Sequence, residues 1–267
     1  MNPISESDLD QLSVNDLACR MDQFIQKSFV ERNVGLPAGF PQKINFVSQL
    51  MATKVVVQKS ELHQRKIAYK TFSFLIQLDL GSISIGMQNG MLYGHQFSES
   101  KWQSPVFRLK HVVLTQYKVI SSRMSFEIFM ELIHLISTGQ KIKYSKSKLN
   151  AFKKWLCDIN NPFHYFAHVL ALAYEFDRQH RSPEIHGTSK YPRKLLTLQN
   201  PSSEDLNEPL QLTNALLNSW NPLIEILNEK RPNSMNISND LHDWFKAYVS
   251  NNNTEIQEQL DKMFVEN

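Results

Sequence analysis

The sequence has little cysteine, little glycine and no long apolar run, and each shortage excludes something. Cys19 and Cys157 are the only cysteines. They stand far apart and outside any paired-ligand spacing, which excludes a disulfide framework and a cysteine-based zinc site and predicts a cytoplasmic setting. Among the 8 glycines, Gly81, Gly86, Gly90 and Gly94 form no phosphate-cradling loop, so a P-loop or Rossmann nucleotide-binding enzyme is excluded. Ser82 and Ser84 lie in no nucleophile-elbow pattern. No apolar stretch approaches the roughly 20 residues that span a bilayer, so no membrane segment is expected. Met1 to Asp8 carries acids and no basic leader before an apolar block, so no secretory signal is expected there.

What is present is an ordinary globular composition, 42% hydrophobic and 21% charged over 267 residues, enough for a real core. The net charge of +3 says little, but its distribution says more. Lys141, Lys143, Lys146, Lys148, Lys153 and Lys154 follow one another with no acid between them, and Lys190, Arg193 and Lys194 form a second basic cluster. The last residues run the other way, with Asp240, Asp243, Glu255, Glu258, Asp261 and Glu266 against Lys246 and Lys262. Solvated helix faces explain such runs without further assumption; a polyanionic partner such as RNA fits them too.

Periodicity predicts a mainly α chain. Val14, Leu17, Met21, Phe24 and Ile25 recur at helical spacing after Ser13, whose side chain can cap with Asp16. Gly35, Pro37, Gly39 and Pro41 then break the chain. Phe72, Phe74, Ile76 and Leu78 alternate as a strand would, and so do Ile83 and Ile85. The stretch from 43 to 114 is therefore expected to be helical with one small β-hairpin. Ser125 is expected to open a helix carrying Phe126, Phe129, Met130, Ile133 and Ile136, stopped by Gly139. A second helix follows with Leu149, Phe152, Trp155 and Leu156, and a third starts at Asn161-Pro162, because Asn caps and Pro suits the first helical position. A long helix from about Leu210 to Glu229 is bent or split by Pro222, and two short helices close the chain. The expected organisation is an N-terminal extension over 1–118, a helical bundle over 119–231 and a helical tail over 232–267.

The sharpest chemical signal is the run Arg181-Ser-Pro-Glu-Ile-His186-Gly187. Pro183 disfavours helical backbone at Ser182, and Gly187 permits an unusual conformation after the histidine, so the run is expected on a turn or a first helical turn. An arginine can hold a phosphate bidentately and stabilise charge building on it, and histidine exchanges protons near neutral pH. Together they supply what RNA cleavage by its own 2′-hydroxyl needs, a proton-transfer group and an anion clamp, with no metal and no cofactor. A structural salt link or a cap would equally place an arginine near a histidine.

This run resembles the signature of the HEPN superfamily: an arginine, four to six residues, then a histidine, with an aliphatic residue before it (Ile185) and a glycine after it (Gly187). The resemblance covers roughly residues 120–230 and is nearest to bacterial stand-alone members. It implies a helical, dimer-forming domain. In active members it implies a metal-independent endoribonuclease, often toxin-like and held by an antitoxin or other protein partner in bacterial defence or stress response. By this resemblance Arg181 and His186 are catalytic, and Ser182 and Glu184 support them. The lysines from Lys141 to Lys154, with Arg193 and Lys194, would bind RNA. Ser182 stands where active members often carry Asn or Asp, and Thr188 stands where the nucleotidyltransferase-controlled toxins carry tyrosine. The alternative from another class is a catalytically inactive helical protein–protein interaction module.

A rival pattern is the i, i+4 pair His164 and His168, the spacing of two metal ligands on one helix face, with Glu175 or His180 as the nearest third ligand. Histidines flanking an apolar stripe are usually boundary residues of the core, and no metal site is expected.

Overall fold

Two long helices dominate the stretch from Glu61 to Thr138, and the buried residues of each pack mainly on the other. The computed structural model describes residues 5–31, 45–93, 103–140, 142, 152, 155–156, 158, 160–177 and 211–230. Its elements are α1 (Glu6–Gln11), α2 (Val14–Glu31), α3 (Phe46–Met51), α4 (Lys54–Val57), α5 (Glu61–Tyr93), α6 (Pro105–Thr138), a 3₁₀ turn (Pro162–Phe166), α7 (Ala167–Phe176), α8 (Gln211–Asn218) and α9 (Trp220–Leu227). The described residues contain no strand.

Helices α5 (33 residues) and α6 (34 residues) run antiparallel, each about 50 Å long at roughly 1.5 Å per residue. Their register is fixed along the whole length. His63 Nε2 lies 2.9 Å from the Gly139 carbonyl at one end. Lys70 pairs with Glu131, and Ser121 Oγ donates to the Gln77 carbonyl at 2.6 Å in the middle. At the far end Gln88 Nε2 donates to Thr115 Oγ1 at 2.7 Å.

The hairpin expected around 72–85 is corrected here: those residues are part of α5. The buried positions Ile67, Ala68, Thr71, Phe74, Leu75 and Leu78 recur at helical spacing, and they outweigh the short alternation of Phe72, Phe74, Ile76 and Leu78. The hydroxyls that alternate with apolar residues turn back onto their own helix. Thr71 donates to Ile67, Ser73 to Tyr69, Ser82 to Leu78 and Ser84 to Leu80, each four residues earlier. The start expected at Ser125 is also corrected. α6 begins at Pro105, and Ser125 sits mid-helix with its Oγ on the Ser121 carbonyl. Residues 118 and 119, where the N-terminal extension was expected to end, are consecutive residues of α6.

Local cap chemistry is observed where the sequence placed it. Ser13 Oγ accepts from Asp16 N at 3.1 Å and donates to the Asp16 carboxylate at 2.6 Å. Asn161 Oδ1 accepts from Phe163 N at 3.0 Å, although the first turn it opens is 3₁₀ and α7 proper begins at Ala167. Pro222 denies the Asn218 carbonyl its i+4 donor, and the expected long helix is split into α8 and α9 around Ser219. One cap comes from another helix. Asn45 gives α3 no side-chain cap, and the buried Asp22 of α2 accepts from Val47 N and Ser48 N, both at 2.9 Å. Burial pushes the Asp22 carboxyl up, and these bonds pull it back.

The apolar core lies at the end of the hairpin nearer Gly139. Phe74 packs on Phe129 with centroids 5.3 Å apart, and Phe129 meets Phe166 edge-on at 5.4 Å. Trp220 closes it against Phe46 at 4.8 Å while its indole N–H reaches Gln49 Oε1 at 3.2 Å. α2 and α3 cover α5, and α8 packs on α6 and α7.

Two glycines of this frame separate by backbone demand. Gly139 ends α6 at φ 73°, and a Cβ there would meet His63 Nε2 at 3.0 Å. Gly81 is helical, and its Cβ would meet Ser121 Oγ at an ordinary 3.4 Å. Gly139→Ala should therefore cost about 1–2 kcal/mol, whereas Gly81→Ala should be neutral or slightly stabilising, as read from urea-denaturation midpoints.

Candidate functional site

The functional residues expected from the sequence lie outside the described residues. These are Arg181, Ser182, Glu184 and His186, the lysines Lys141, Lys143, Lys146, Lys148, Lys153 and Lys154, and Arg193 with Lys194. Glu175 is described only as part of α7, and His180 lies outside. The structure does describe the point from which the run departs, and the polar interior around that point.

Asp177 follows the end of α7, four residues before Arg181. It is buried, and its Oδ2 accepts from Arg123 Nε at 3.0 Å. Arg123, on α6, is buried as well. Its Nη2 reaches Glu127 at 3.3 Å, its guanidinium carbon stands 4.8 Å from the centre of the Phe126 ring, and its enclosed Nη1 has no hydrogen-bond partner. A guanidinium taken out of water needs this many neighbours, because desolvating an ion is costly unless its donors are met. Beside it Ser122 Oγ and Thr213 Oγ1 are 2.7 Å apart, tying α6 to α8.

These groups belong to a polar stripe on α6. Arg108, His111, Thr115, Lys118 and Ser122 follow each other at steps of three and four, and all are buried. Gln88 of α5 reaches both His111, at 3.0 Å, and Thr115. Burial lowers the Lys118 ammonium to about 8. Reading the sequence did not find this stripe, because the helix was started at Ser125; its 3-4-3-4 polar spacing was the available signal.

The histidine pair separates. His168 is buried with its Nδ1 on the Tyr165 carbonyl, and burial lowers its pKa to about 4, so at neutral pH it is an uncharged Nδ1–H donor. Tyr165 keeps its phenol, pushed up to about 12 first by burial and then by the nearby Glu225. His168 is thus accounted for as a core histidine. Among the described residues no group of three His, Cys, Asp or Glu side chains is placed to hold a metal ion.

A cleft of about 670 Å³ lies at the other end of the hairpin, between the C-terminal parts of α6 and α9. Trp155 and Phe163 stand on one side of it, and Lys59 and Lys230 bring the positive charge. Its described lining residues include no histidine and no arginine.

No family model, no curated protein and no solved structure matches this chain.

Two measurements test the interior around Asp177. Asp177→Ala leaves a buried guanidinium without its nearest carboxylate and should cost about 3 kcal/mol, while Glu127→Ala, at a half-exposed position, should cost under about 1 kcal/mol in thermal unfolding. His168 binds its proton more weakly folded than unfolded. Its contribution is therefore present above about pH 6.5 and is lost as pH falls toward 4, on the order of 3 kcal/mol in total. His168→Asn, which keeps a donor for the Tyr165 carbonyl, should flatten that part of the stability-versus-pH curve.

Proposed function

We propose that the chain is a HEPN-like RNA-directed protein, a metal-independent endoribonuclease or RNA-binding factor of bacterial defence or stress response. The observation that carries this is the run Arg181-Ser-Pro-Glu-Ile-His186-Gly187, which begins five residues after the last residue of α7 in an α-helical chain. His186 moves the proton at the 2′-hydroxyl or the leaving oxygen, Arg181 steadies the charged phosphate, and Ser182 and Glu184 hold the pair in place. The basic segments Lys141–Lys154 and Arg193-Lys194 hold the RNA backbone without reading its sequence. What the scaffold contributes in support is an anchored departure point: the end of α7 is tied to α6 through Asp177 and Arg123. Among the described residues no helix is long and apolar enough to cross a membrane.

A second reading, an inactive module that binds another protein or an antitoxin-like partner, is favoured by the apolar side chains exposed along α6.

Purified wild-type chain should cleave total tRNA or structured RNA in EDTA as well as in magnesium. His186→Ala and Arg181→Ala should each lower the rate by roughly 100-fold or more while the circular dichroism spectrum stays unchanged. RNA left intact by the wild type under both conditions removes the enzymatic reading. Binding that then weakens steeply with salt, and with neutralisation of Lys153 and Lys154, would leave an RNA-binding factor.

A further inference from the structure

The first two-thirds of α6 has its polarity reversed. Its buried side carries Arg108, His111, Thr115, Lys118, Ser121, Ser122 and Arg123, with Val119 the one apolar residue buried among them. Its exposed side carries Val106, Leu109, Val113, Tyr117, Ile120 and Met124, four of them more than half exposed. Lys110 and Gln116 are the other exposed residues between 105 and 124 apart from Pro105 itself. A helix facing water normally shows the opposite arrangement. Met87 of α5, 56% exposed, stands at the level of Val113 by the register that Gln88, His111 and Thr115 fix. Single exposed apolar side chains need no account; six on successive turns of one helix do.

We propose that this face of α6 is a self-association surface, covered by the same face of a second copy packed antiparallel about a two-fold axis. The spacing is what selects a second copy. The steps 106, 109, 113, 117, 120, 124 are three, four, four, three and four, which keeps the stripe along one side of a nearly straight helix. Turned end for end about a point near residue 115, the stripe falls on itself to within one residue. Val106 then faces Met124, Leu109 faces Ile120, and Val113 faces Tyr117, so that in two of the three pairings a small side chain meets a large one. An isologous interface needs this self-complementarity. The charge pattern permits it. No acid is exposed on this face, and the two Lys110 side chains end on opposite sides of the axis, about 15 Å apart along it. The area is sufficient. Six side chains at these exposures leave on the order of 500 Å² per copy, so pairing removes about 1,000 Å² from water before flanking contacts, the threshold for a specific interface. The inference is drawn from α6 and does not depend on the run at 181–187, so absence of RNA cleavage leaves it standing.

Sedimentation velocity of the full chain tests it. The wild type should sediment as a dimer at micromolar concentration. Val113→Glu combined with Ile120→Glu, both at exposed positions, should raise the dimer dissociation constant at least 100-fold with the thermal midpoint unchanged. A wild type that stays monomeric at 100 µM, whether or not it binds lipid vesicles, overturns the proposal, and so does a variant as dimeric as the wild type. The orientation has its own measurement, with Cys19 and Cys157 replaced by serine. Val106→Cys mixed with Met124→Cys should cross-link under mild oxidation, and Val106→Cys alone should not. The reverse pattern would mean parallel packing and would overturn the antiparallel two-fold.

Discussion

The antiparallel packing of α5 against α6 is the constraint on which the rest of the described structure depends. Two helices of this length cannot bury a face by themselves at both ends, so their partners decide what each end becomes. Toward Gly139 the partners are α2, α3, α7, α8 and α9, and the seam is aromatic and aliphatic. Phe74, Phe129, Phe166 and Trp220 lie within ring-contact distance of one another in a chain across it. Away from Gly139 the seam is polar. Gln88, His111, Thr115 and Ser121 bind across it or onto the neighbouring turn, so register is held there by hydrogen bonds of defined length and not by shape.

Buried charge in this hairpin locates chain segments more than it adds stability. Removing Arg123 and Asp177 together could cost little, because an ion pair in the interior loses in desolvation much of what it gains in attraction. Removing one partner alone strands the other. The pair therefore holds the end of α7 at one place on α6, and Ser122 with Thr213 does the same for α8. Asp22 plays this part for α3, whose own Asn45 supplies no cap. In each case a polar atom is satisfied by a different helix, so the helices cannot slide without leaving a donor or acceptor unmet in the interior.

Where cap chemistry is local, the sequence was legible. Ser13 with Asp16, Asn161 before Pro162, Gly139 at a left-handed residue and Pro222 splitting a helix each depend on neighbours within four positions, and each acts as its side chain predicts. The interior of α5 was misread because hydroxyls placed every second residue imitate a strand. Ser73, Ser82 and Ser84 in fact bond back to their own helix, a choice made only once the helix exists. The candidate site was legible only as a motif. Arg181 and His186 are recognisable from residue type and spacing, while the Arg123–Asp177 bond that ties the chain just after α7 to α6 joins positions 54 residues apart and leaves no local mark.

By itself the sequence determined that the described chain is helical, where several of its helices stop, and that an arginine and a histidine stand five positions apart at 181 and 186. These follow from backbone preferences and side-chain chemistry acting over one or two turns. Only the tertiary structure decided which side of α6 turns inward. The residue pattern offers two stripes of nearly equal length on that helix, one apolar and one polar, and periodicity cannot rank them. The polar stripe went inside because α5 presents Gln88 to it and the residue after α7 presents Asp177, and that left Val113, Ile120 and their neighbours facing out.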